Sequence, residues 1–214
     1  MRNSLAKRSN MGGRGSSGGG GGSAGKYKDL TQSEVEAMQE QLYGSDYYDI
    51  ISNAAYGYIM TGGSFGINAR LREDEPLHTF QNAVVNRMDS AMKPLGVDAN
   101  LTRYADMDYA KAVLGLQRED FRDLNTATAK INKNTVGNII QEKAFMSTSY
   151  NANENAFTDR PVKMNIKAPK NTKGLYTTNH DESEIVLARN SKYVVTGARK
   201  GKWGQLEVDV VMLP

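Results

Sequence analysis

The sequence predicts an α+β domain in which N-terminal helices pack on a mainly antiparallel β-sheet core. Three observations carry that expectation: apolar residues recur at helical spacing up to Lys93, short β-type runs recur after Asn100, and no internal repeat is visible. With 214 residues, 39% hydrophobic and 8% aromatic, the chain has the material for one core.

Nine of the fifteen residues from Met11 to Gly25 are glycine, too costly in backbone entropy to order and with little to bury. Residues 1–28 are therefore expected to form a flexible basic tail ahead of a folded domain at 29–214. The tail holds Arg2, Lys7, Arg8, Arg14, Lys26 and Lys28 and no acid, which is +6 of a net +3 and leaves the body at −3. The basic balance is thus a tail effect, and a nucleic-acid partner is not expected. A lone Arg14 among glycines is thin support for an Arg-Gly nucleic-acid tail.

Thr31 and Glu34 have the spacing of a capping box, and Val35, Met38 and Leu42 follow at helical spacing. A second helix is expected after Ser45 through Ile50, Ile51, Ala55 and Ile59, broken by the TGGS of 61–64. A third is expected from Pro76 through Phe80, Val84 and Met88 to Lys93, with Pro94 beyond it. Strands are expected at Leu101 to Ala105, Ala144 to Tyr150, Val162 to Ala168, Glu182 to Ala188, Lys192 to Gly197 and Gln205 to Leu213. The polar stretch from Asp108 to Asn138 reads as partly helical.

With no cysteine, the chain lacks a disulfide framework, a Cys-based zinc site and a thiol nucleophile. His78 and His180, the two histidines, stand far apart without metal-ligand spacing, so no metal is expected. No apolar run approaches the ~18 residues of a membrane span. The basic N-terminus runs straight into glycine without the apolar stretch of a secretory signal, so export is expected to follow a non-classical route.

Three short signals remain. Arg103, in LTRYAD, has the planar fork of donors that grips a phosphate, and its bland alternative is a surface strand residue. Ser147, Thr148 and Ser149 stand on an expected strand, where alternation sends Ser147 and Ser149 to one face and Thr148 to the other. Glu182 and Glu184, at i and i+2 of an expected strand, share a face and suit chemistry with a developing cation; a solvated strand end is the alternative.

In this order the three resemble the Arg, Ser-Thr-Ser and Glu-x-Glu motifs of the toxin-like mono-ADP-ribosyltransferases, which include bacterial binary toxins and related exoenzymes. Ile67-Asn68-Ala69-Arg70-Leu71-Arg72 is similar to the family's helical Ile-Asn-x-x-Leu-Arg stretch. Phe157 and Arg160 match its aromatic–arginine loop, and Lys173-Gly174 its lysine-glycine turn. The chain departs from the pattern at Thr102 and Tyr104, which flank Arg103 where the family typically has an aromatic and often a glycine. In the loop before Glu182, Asn179, His180 and Asp181 stand where the family often presents an aromatic.

The resemblance implies cleavage of NAD at the nicotinamide–ribose bond and transfer of ADP-ribose to a protein side chain. It places Arg103 on the pyrophosphate or adjoining ribose, Phe157 on the nicotinamide ring and Arg160 on a phosphate. Ser147 would hold Glu184, Glu184 would bind the ribose 2′-OH and stabilise the cation, and Thr148 would mainly build the strand. Glu182 would orient the acceptor, and glutamate there goes with arginine in the family. The resemblance also implies a toxin or effector of a bacterium or phage. An NAD glycohydrolase on the same scaffold and a non-catalytic tethered interaction module are the alternatives.

Overall fold

A computed structural model describes residues 26–60, 63–151, 157–179, 181–202 and 204–214. The expected glycine tail up to residue 25, the first half of the TGGS break and His180 lie outside the described residues.

The N-terminal helices form where capping and periodicity place them. The Thr31 side chain accepts from the Glu34 N–H and Glu34 accepts from the Thr31 N–H at 2.9 Å, so α1 runs Gln32–Tyr43. It stops at Gly44, whose φ of 81° lies outside the helical region. Three more helices follow: α2 (Tyr47–Ile59), α3 (Gly63–Glu73) and α4 (Thr79–Ala91). α4 starts later than Pro76, because Gln81 reaches back to accept from the His78 N–H and makes His78 the cap. Further along, Asp106 and Asp123 cap α5 (Met107–Leu114) and α6 (Leu124–Asn134), with a 3-10 turn at Arg118–Arg122 between them.

Among the described residues nine strands make one sheet: β1 (Lys93–Pro94), β2 (Ala99–Ala105), β3 (Ile139–Glu142), β4 (Met146–Ser149), β5 (Val162–Ala168), β6 (Lys173–Tyr176), β7 (Glu184–Leu187), β8 (Ser191–Lys200) and β9 (Leu206–Met212). Their spatial order is β1-β6-β7-β4-β2-β5-β9-β8-β3, and every neighbouring pair is antiparallel except β5 with β9. The α+β class with a mainly antiparallel sheet is the observed architecture. Buried and part-buried residues alternate along β5 and β9, as the period of two requires.

β7 is buried at all four positions, because its alternate side chains feed separate cores. Ile185 and Leu187 join the large core with β2, β5, β8, β9, α5 and α6, whereas Val186 packs with Tyr58, Ile67, Val84, Met88 and Phe145 under α2–α4. The helices therefore cover the sheet where β7 and β4 run, which positions the cleft described below.

Three local expectations are corrected. Lys173-Gly174 is strand rather than turn, and a Cβ on Gly174 would sit 3.1 Å from the Val186 carbonyl, so the residue is a close-approach glycine inside the sheet. β3 is a short edge strand without a clear alternating pattern, and it went unread. The strand expected from Glu182 begins at Glu184, because Ser183 adopts a left-handed φ of 49° and the three residues before β7 form a turn. Lys28 bridges Ala99 in parallel, its N–H donating to the Asp98 carbonyl at 3.1 Å, and Lys26 pairs with Asp98.

Candidate active site

β7, β4 and β2 are neighbours, and their register lines up Glu184, Ser149 and Thr102 in one row. Strand pairing thus unites the three signals that the sequence holds apart. Arg103, Ser147, Thr148, Ser149, Phe157, Arg160, Glu182 and Glu184 line one open compartment. A second shares six of these residues and extends to α2 and α3.

Arg103 is half-buried, and its Nη1 donates to the Ser147 carbonyl at 2.9 Å. Its Nε is buried with no acceptor among the described residues. An unmet buried donor costs about 1–3 kcal/mol, so the guanidinium offers an open donor to whatever fills the cleft.

Phe157 holds a positive φ of 65°, and the Arg160 N–H donates to its carbonyl at 3.0 Å, closing a tight turn. That turn sets the Arg160 guanidinium 4.1 Å from the Phe157 ring centroid, and Nη1 donates to the Tyr104 carbonyl. Phe157 is 42% exposed, so it is no core plug. Burial, and then the neighbouring Arg103 charge, pull the Arg160 pKa down from its ordinary value. Two guanidinium charges are thus gathered in one cleft.

The same cleft holds the carboxylates. Glu184, 5% exposed, takes a hydrogen bond from the Thr177 hydroxyl at 3.1 Å, and Ser147 lines the cleft with it. Burial pushes its pKa up to about 7; the Ser147 hydroxyl opposes this, the Glu182 charge adds to it, and Thr177 and Arg103 oppose it further. Glu182 lies half-buried in the turn, lining both compartments without sharing the strand with Glu184. Both acids face the cleft, although not through the i, i+2 alternation that the sequence suggested.

The hydroxyls divide their work. The Thr148 hydroxyl is buried and donates to the Ile185 carbonyl at 2.6 Å, a knot between β4 and β7. Ser149 bonds the backbone of Asn151. Ser147, beside Glu184, is half-buried and within 3.3 Å of the Tyr58 hydroxyl.

Sequence reasoning did not name Tyr58, Phe65 or Thr177 for the site, and quoted Asn68 and Arg72 only within a helical motif. All but Thr177 line the second compartment. Asn68 and Arg72 are one helical turn apart on α3, a spacing of four that puts both on one face. Arg72 Nε donates to the buried Glu142 at 3.0 Å, which adds a third guanidinium to the cleft. Among the described residues no group of three or more His, Asp or Glu is placed to hold a metal, and no helix is long and apolar enough to cross a membrane.

The cleft thus gathers guanidiniums and a buried, proton-avid carboxylate over interior strands of a helix-covered, mainly antiparallel sheet. The chain belongs to the ADP-ribosyltransferase exoenzyme family, whose profile it matches over residues 22–213. Membership of that family classes it as an NAD-dependent ADP-ribosyltransferase of the toxin-like kind. It is 24% identical over 158 residues to the epidermal cell differentiation inhibitor of Staphylococcus aureus; the alignment covers 64% of this chain and 64% of that relative's length. Its fold is similar to the crystal structure of C3stau2 from S. aureus with NAD, with a TM-score of 0.72 and 22% identity over 88% of this chain and 99% of that one. It is also similar to the ADP-ribosylating toxin BECa of a binary enterotoxin of Clostridium perfringens, solved with NADH, at a TM-score of 0.69 and 16% identity. That match covers 88% of this chain and 50% of BECa.

Proposed function

We propose that the protein cleaves NAD at the nicotinamide–ribose bond and passes the ADP-ribose to an arginine of a target protein. The observation that carries this reading is the convergence of Arg103, Arg160, Glu182 and Glu184 on one cleft. NAD presents the complementary pattern: an anionic pyrophosphate, a ribose and a flat cationic ring.

Arg103 takes the pyrophosphate or the adjoining ribose, using the Nε that has no protein partner. Arg160 reaches a phosphate, and the exposed face of Phe157 stacks on nicotinamide. The reaction resembles glycoside cleavage: the ribose gains oxocarbenium character while nicotinamide leaves neutral and needs no acid. Catalysis is then a matter of position and field. Glu184, once ionised, binds the ribose 2′-OH and stabilises the cation, and Ser147 and Thr177 hold its oxygens in place. Thr148 ties β4 to β7 and keeps this geometry.

Glu182 supports arginine as the acceptor, because a carboxylate pairs with a guanidinium through two parallel hydrogen bonds. The same reading treats residues 1–28 as a linker ahead of a catalytic domain at 29–214, and the protein as an effector delivered outside its own cell by a non-classical route.

Glu182→Gln tests the acceptor role. Glu184 remains, so nicotinamide release to water persists while labelling of an arginine analogue falls steeply. Both are read in the same tube. Equal loss would move Glu182 into the cleavage step, and equal retention would leave it without a role.

A further inference from the structure

The Tyr58 side chain lies 1% exposed beneath the cleft, packed edge-on against Phe145 with ring centroids 5.5 Å apart. A phenol buried to this degree carries one donor and needs partners for it. Its neighbours leave it one arrangement.

The chain of bonds starts from a backbone group whose direction is not in question. The Phe145 N–H donates to Asn68 Oδ1 at 3.2 Å, which fixes the orientation of that amide. Asn68 Nδ2 therefore faces Tyr58 and donates to its hydroxyl oxygen at 2.9 Å. The Tyr58 proton is left to point at Ser147 Oγ, 3.3 Å away. With Oγ accepting from Tyr58, the single Ser147 proton is left free to turn to Glu184, which lines the same cleft.

We infer that Tyr58 is a positioning residue: its hydroxyl, oriented by Asn68, fixes Ser147 as a donor to Glu184 and so holds the reacting carboxylate in its ionised, correctly aimed form. The inference rests on the reading of Glu184 as the cation-stabilising group. It adds a one-way relay from the α2–α3 helices to β7. A chain of donors aligned in one sense strengthens each of its bonds, and it is spoiled by loss of any member.

Tyr58→Phe keeps the ring and its packing and deletes only the relay proton. The Ser147 hydroxyl then has no donor to hold it and loses its preference for Glu184. The other charged groups at the cleft stay in place: Glu182 in the turn, Arg103 on β2, Arg160 before β5, and Arg72 and Asp106 at its far end.

The test is nicotinamide release from NAD by the full chain, with kcat, KM and the pH profile of kcat/KM measured for wild type, Tyr58→Phe, Ser147→Ala and the double variant. The expected result for Tyr58→Phe is a kcat lower by roughly tenfold, the size of one hydrogen bond, with KM for NAD little changed. Its acidic limb moves to higher pH, because the carboxylate has lost support for its charge. In the Ser147→Ala background, Tyr58→Phe has no further effect on the limb. A packing role alone would lower the melting temperature and leave the limb where it was. An unmoved limb with unchanged kcat, or independent additive effects of the two substitutions, overturns the inference. Should Tyr58→Phe fail to fold, 3-fluorotyrosine at position 58 replaces it; this stronger donor moves the limb to lower pH, and an unmoved limb overturns the inference. Retention of cleavage by Glu184→Gln removes the parent reading instead, which keeps the two failures distinct.

Discussion

Glu184→Gln makes two opposite changes to the protein, and the structure gives the size of one. Burial raises the Glu184 pKa from 4.5 to about 7, so the folded state holds the proton more tightly than the unfolded chain does. At 1.36 kcal/mol per unit this is about 3 kcal/mol of stability. A raised folded pKa fixes the sign: the contribution is fully present below pH 4.5 and is lost as pH rises through 7. Most of it falls between pH 5 and 9 by the same linkage. Glutamine never ionises, so the variant gains on wild type by about that amount across the window and is the more stable protein at pH 9. Urea denaturation followed by circular dichroism at pH 5, 6, 7, 8 and 9 measures it. Glu34, Asp120 and Asp123 have lowered pKa values, set chiefly by hydrogen bonds from Lys28, Lys130 and Thr126, and titrate alike in both proteins, so they cancel in the difference. The same variant loses NAD cleavage by orders of magnitude, because the field at the ribose has gone. A stability difference that does not vary with pH would refute the buried-proton argument. Near-wild-type cleavage would refute the assignment of Glu184.

The remaining predictions concern Arg103 and the tail. Arg103→Lys weakens NAD binding by titration calorimetry, since an ammonium cannot reproduce the fork that includes the unpartnered Nε; unchanged affinity moves the phosphate role to Arg160. Removing residues 1–25 leaves the melting temperature and NAD cleavage unchanged, because a glycine-rich segment has few side chains to pack. A melting point several degrees lower in the truncated chain would show that the segment docks on the body.

How much of this was legible in the sequence depended on the range of the interactions involved. The capping box at Thr31 and Glu34 is a pattern of four consecutive residues, and it forms as read. Alternation in Val162–Ala168 likewise foretold β5, because a strand buried on one face and more open on the other writes its environment into its own period. The motif residues Arg103, Ser147, Phe157, Arg160, Glu182 and Glu184 were named before any geometry existed, through their likeness to a family, and they line one cleft.

Contacts between distant segments were not legible. Glu182 and Glu184 share the cleft because Ser183 turns the chain with a positive φ, a conformation that tertiary contacts impose against the local preference of a serine. The raised pKa of Glu184 follows from its burial at the start of β7, with β4 and β6 as neighbours, and no spacing in the sequence encodes such desolvation. Tyr58, Asn68 and Thr177 read as ordinary helix and loop residues until α2, α3 and β7 meet. Residue types and short-range periods determined which chemistry was available and which elements would form. Only the packing of helices on the sheet decided which groups lost water and met each other, because burial and hydrogen bonding across the fold are properties of the assembled core and not of any one segment.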